Sequence, residues 1–126
     1  MSEKISLAKI GQIAVPVSDL DAAVAFYRDT LGIPFLFQFP GLAFFDCAGV
    51  RLLLETAAEA TPKRSSIIYY QVPEIQAAYQ QLNAAGVEFI EAPNLVAKMS
   101  DHDLWMAFFQ DPDQNVLALM CEIPHA

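Results

Sequence analysis

A chain of 126 residues, 55% of them hydrophobic, is long enough for one domain with a sizeable core and too short for two ordinary ones. Seven Lys and Arg against fifteen Asp and Glu give a formal net charge of −8, which leaves no basic face for a phosphate backbone and excludes nucleic acid as a partner. No run approaches the roughly 20 apolar residues of a membrane-spanning helix, and the opening "MSEKISLAKIGQ" lacks a continuous apolar signal core, so a cytoplasmic chain without membrane contact is expected.

The first element is a short β-branched run, "QIAVPV", followed by "SDLDAAVAFYRDTLG". In the latter, Leu20, Ala23, Val24, Tyr27 and Leu31 form the apolar stripe of an amphipathic helix, with Ser18 expected as N-cap and Gly32 as a left-handed stop. Three strand-like runs come next, "FLFQF", "LAFFDC" and "VRLLLE", separated by Pro40-Gly41 and Ala48-Gly49. The order then repeats. "IIYYQV" precedes a second helix, "PEIQAAYQQLNAAG", whose stripe is Ile75, Ala78, Tyr79 and Leu82 and whose stop is Gly86. "VEFIE", "LWMAFFQ" and "NVLALMCE" follow as strands, with "APNLVAKMSDHD" between the first two expected to be a long loop able to serve as a lid.

The pattern is βαβββ, twice, an α+β arrangement in one chain. The valines that end the two opening strands, Val17 and Val72, stand 55 positions apart, and at that offset Asp19 meets Glu74 and Ala22-Ala23 meets Ala77-Ala78. Module 1 spans about residues 8–58 and module 2 about 65–122, within a single domain. Cys47 and Cys121 lie in apolar runs and read as reduced, buried thiols without a role.

Two βαβββ copies, the helix signature "VSDLDAAVAFYRDTLG" and a strand-"DPDQN"-strand hairpin near the end closely resemble the vicinal oxygen chelate superfamily, which includes glyoxalase I, extradiol dioxygenases and bleomycin-resistance proteins. The resemblance implies curved mixed sheets with the helix outside, paired modules enclosing a cleft, and a homodimer. It also implies where a divalent metal would be held in metal-using members: by side chains on the first and last strand of each module. In this chain those positions are Gln12, Leu53, Ile67 and Ala118, of which only Gln12 can offer a ligand atom.

No metal or other cofactor is therefore expected, and the reading that follows is a cleft for a small apolar or aromatic molecule. Gln12, Arg51, Glu55, Tyr69 and Gln71 share strand parity with the four positions and are the candidate polar contacts. Trp105, with Met106, Phe108 and Phe109, is the candidate stacking surface, and the net negative charge favours a cationic or neutral ligand over an anionic one. The alternative is an enzyme, a metal-dependent or acid–base lyase, isomerase or dioxygenase with an unorthodox site, in which Glu55 or His102 would be catalytic. Whether the chain is an enzyme stays open at this point. In "FFQDPDQNVLALM", Asp111 and Asp113 read as turn residues and not as metal ligands, with Asn115 expected to take a left-handed conformation.

Overall fold

The computed structural model describes residues 5, 8–56 and 66–125; the module limits drawn at 58 and 65, and most of the opening heptapeptide, lie outside the described residues. The chain divides into two compact units, Met1–Thr61 and Pro62–Ala126. Each repeats one plan.

In the first unit β1 (Gln12–Val17) leads into helix α1 (Leu20–Ala25), and β2 (Phe35–Phe39), β3 (Leu42–Cys47) and β4 (Val50–Thr56) complete an open sheet of order β1-β4-β3-β2. β1 runs parallel to β4, and the remaining pairs are antiparallel. The second unit has β5 (Ile68–Gln71), helix α2 (Ile75–Ala84), β6 (Glu88–Lys98), β7 (His102–Gln110) and β8 (Val116–Pro124), in the order β5-β8-β7-β6 with β5 parallel to β8. The expected strands are all present, and the fold is α+β with two βαβββ modules. No helix among the described residues is long and apolar enough to cross a membrane.

One face of each sheet is closed by its helix. α1 packs on β3 and β4 through Ala23 and Val24, and Tyr27, in the turn that continues it, meets Phe45 at a ring-centroid distance of 6.2 Å. Leu52, Leu54 and Phe45, all buried, are the sheet's side of that core. In the second unit Ile75 and Leu82 of α2 are buried, and Tyr79 stacks edge-on against Phe89, which in turn touches Phe109.

Four local expectations need correction. The N-cap of α1 is Asp19, not Ser18: its Oδ1 accepts the Ala22 amide at 3.2 Å, so the helix starts one residue later than expected. α1 also stops at Ala25 and widens into a π-helical turn, Phe26–Thr30, in which the Leu31 amide reaches back to the Phe26 carbonyl. The segment expected as a lid loop is strand: β6 runs on to Lys98, pairs with β7 through three register shifts, and leaves only a tight connection in which the Met99 amide donates to the His102 carbonyl. β-bulges absorb the proline and the polar residues that make this stretch look irregular in sequence.

The fourth correction concerns the β7–β8 turn. Its left-handed residue is Gln114, at φ 67°, while Asn115 is buried. Asp111, also buried, is the anchor: its Oδ1 accepts the Asp113 and Asn115 amides at 2.9 and 2.8 Å, and its Oδ2 accepts the Asn115 side-chain amide at 2.8 Å. The carboxylate is thus consumed in closing the turn. Replacing Asp111 with Ala strands buried donors, and a loss of about 3 kcal/mol is expected in urea denaturation, against less than about 1 kcal/mol for Pro112→Ala, which acts mainly through the unfolded chain.

Candidate functional site

Strand alternation leaves each sheet with a second face, opposite the helix. Register shows which side chains share it. In the first unit three rows cross the sheet: Gln12–Arg51–Asp46, Ala14–Leu53–Phe44–Phe37, and Pro16–Glu55–Leu42–Phe39. Phe37, Phe39 and Phe44 form a cluster, with Phe37 and Phe44 nearly stacked at 4.8 Å and 31° and Phe39 edge-on to both. The Arg51 guanidinium sits 5.7 Å from the centre of the Phe44 ring. Gln12, Arg51 and Glu55 are exposed.

In the second unit the corresponding rows are Tyr69–Ala118–Phe108 and Gln71–Met120–Met106. Tyr69 and Phe108 meet edge to face at 5.9 Å, one on either side of Ala118, and Ala118 is 0% exposed. Leu53 is also buried, at 8% exposure, whereas Ile67, just before β5, is 38% exposed. The register independently repeats the spacing of the halves. Ala14, the partner of Leu53, and Tyr69, the partner of Ala118, are again 55 positions apart, so Leu53 and Ala118 are equivalent places in the two sheets.

Gln12, Arg51 and Glu55 therefore stand together on one face of the first unit, and Tyr69 and Gln71 on the matching face of the second. Trp105 does not join them. It pairs with buried Cys121 and has the parity of Phe109, which packs on the helix side, so Trp105 and Phe109 lie opposite Met106 and Phe108. The expected stacking group of four is split by the alternation of β7. Residues not singled out from sequence are Phe37, Phe39 and Phe44. Their signal was the Pro40-Gly41 turn, which fixes Phe39 opposite Leu42 and thereby Phe37 opposite Phe44.

His102 opens β7 with Nδ1 2.7 Å from Asp101 Oδ1 and Nε2 3.6 Å from Glu122 Oε2. Asp101 engages Nδ1, while the 3.6 Å separation leaves no hydrogen bond between Nε2 and Glu122. His125 is tied down: its amide donates to the Asp101 carbonyl at 2.9 Å and its Nε2 lies 2.8 Å from Asp103 Oδ1. Both cysteines are free thiols. Cys121 is buried and Cys47 only partly so; burial, followed by the neighbouring Asp46 charge, pushes the Cys47 thiol above its ordinary value and away from the reactive thiolate.

The model of the Glyoxalase/Bleomycin resistance protein/Dioxygenase superfamily matches residues 9–119. The chain belongs to this superfamily. Among curated proteins it is similar to the uncharacterized protein YraH of Bacillus subtilis, 27% identical over 129 residues that cover 88% of this chain and 96% of YraH. Among solved structures it is similar to TnmS3, an antibiotic binding protein from Streptomyces sp. CB03234, at 25% identity and a TM-score of 0.76, covering 94% of this chain and 99% of that one. It shares its fold with a lactoylglutathione lyase from Agrobacterium tumefaciens, at 22% identity and a TM-score of 0.76, covering 92% and 95% of the two chains.

The superfamily's metal-using pattern does not fit the side chains present. Gln12 is a neutral, weak oxygen donor, and Leu53, Ile67 and Ala118 have no donor atom at all. Among the described residues no group of three or more His, Cys, Asp or Glu is placed to hold a metal ion. The Ala118 position is closed as well as apolar, because the Tyr69–Phe108 pair flanks it. Ala118→Glu is expected to cost about 3 kcal/mol or more in urea denaturation, since an unpaired carboxylate must be buried in a filled space. Adding Tyr69→Ala should return part of that loss by giving the carboxylate a route to water.

Proposed function

We propose that this protein binds a small, flat, apolar or aromatic molecule on the helix-free faces of its sheets, without a metal ion, and acts by holding that molecule. The observation that carries this reading is the content of the equivalent positions Leu53 and Ala118. Where a metal-using member would present acids, Leu53 lies in a row with Phe44 and Phe37, and Ala118 lies between Tyr69 and Phe108.

Aromatic faces with a few polar groups at their margins suit planar organic ligands, because ring surfaces supply area while the polar groups set orientation. Gln12, Arg51 and Glu55 are those margins in the first unit, and Gln71 in the second. Similarity to an antibiotic binding protein supports the same class of role, in which retention and not turnover is the activity. The working state is a homodimer in the cytoplasm.

Two measurements on the full chain, purified without added metal, test the reading. Elemental analysis should find no stoichiometric Ni, Zn, Mn or Fe, and a flat polycyclic ligand at a hundredfold excess over its Kd should stabilise the protein by about 2.7 kcal/mol in a thermal or urea melt. One bound metal ion per chain, together with turnover of a methylglyoxal-thiol adduct or a catechol, would overturn it.

A further inference from the structure

Among the described residues Arg51 is the cation in the rows of the first unit's site face. Among the described residues its side chain makes no hydrogen bond or ion pair; its one contact is with the Phe44 ring. Its row neighbour Asp46 uses Oδ1 to accept the Gly49 amide at 3.0 Å. On the other side of Arg51 lies Gln12, directly across the parallel β1–β4 pair, and its amide also makes no hydrogen bond among the described residues. Adjacent strands are separated by about 4.8 Å, which lets two neighbouring side chains reach one small anionic group.

Phe44 and Phe37 present an aromatic surface in the adjoining row. From these neighbours we infer that the ligand is an aromatic carboxylate or a similar planar monoanion, its ring on Phe37 and Phe44 and its charged group on Arg51 and Gln12. This deepens the proposed small-molecule binding and rests on it. Arg suits the task because its planar fork donates two parallel hydrogen bonds to a carboxylate while its face stays on a ring.

The net charge of −8 opposes an anion at long range, but exposed charges are screened beyond about 8 Å at physiological ionic strength, so the contact with Arg51 decides. Glu55 fixes the direction of binding. It shares the face with Arg51 four residues further along β4, about 13 Å away at 3.3 Å per residue, and repels an anionic group placed at that end.

Calorimetric titration of the full-length protein with 2-naphthoate, its neutral amide 2-naphthamide, and 2-naphthylmethylamine tests the assignment. The carboxylate should bind about tenfold more tightly than the amide, with the amine weakest, and the preference should shrink with added salt. Arg51→Gln, an exposed change whose folding is checked by circular dichroism, should remove the roughly tenfold gap between carboxylate and amide. Arg51→Lys should keep part of the preference. Equal binding of carboxylate and amide by the unaltered protein, or a preference that survives Arg51→Gln, overturns the anion assignment and leaves aromatic binding standing. Failure of all three probes to bind overturns both.

Discussion

The parallel pairing of each module's first strand with its last is the constraint on which the rest depends. A helix must cross over between parallel strands, so α1 and α2 each land on one face of a sheet and leave the other face to a different use. The same pairing sets register: Ala14 opposite Leu53 and Tyr69 opposite Ala118. A slip of one residue would exchange the faces, placing Leu52 and Leu54 where Leu53 now lies and pushing Arg51 and Glu55 into the core. The apolar packing of Leu52, Leu54 and Phe45 under α1 therefore protects the site as well as the fold.

The two site faces solve different problems. In the second unit Tyr69 and Phe108 pack on each other, and their shared neighbour is sealed. In the first unit Phe37 and Phe39 stay exposed, and a cation lies over one edge of the cluster instead of against a carboxylate. Exposed aromatic surface beside an unpaired guanidinium gains little from solvent and much from a planar partner. Asp46, the row neighbour of that cation, accepts the Gly49 amide at Oδ1 in the turn that closes β3 onto β4, and the Gly49 φ of 95° is one that favours glycine.

Much of this was legible in the chain because period-2 and period-3.6 patterns are local. The strands, the helix stripes and the spacing of 55 between halves could be read directly, whereas the significance of Leu53, Ile67 and Ala118 came from the resemblance to the superfamily. What escaped depended on pairing across strands. The stretch from Ala92 to Lys98 looks like loop because Pro93 and Asn94 interrupt alternation, yet bulges let it pair with β7. Trp105 could be placed on the ligand face only by ignoring its alternation with Met106. The bulge between Phe35 and Phe37, beyond the Phe37–Phe44 pair, is announced by no propensity. At the DPD turn Asp111 closes the turn as its residue type suggests, accepting the Asp113 and Asn115 amides, but the left-handed residue is Gln114 and not Asn115.

Burial bears on why Gln12 is polar where Leu53 and Ala118 are apolar, whereas Ile67 is apolar and 38% exposed. Gln12 is exposed, so its amide is solvated whether or not an ion is present and costs nothing to retain. Leu53 and Ala118 are buried, and a carboxylate at either place would be tolerable only with a cation to neutralise it. Gln12, the polar residue among these positions, stands directly across the β1–β4 pair from Arg51, which makes no ion pair among the described residues.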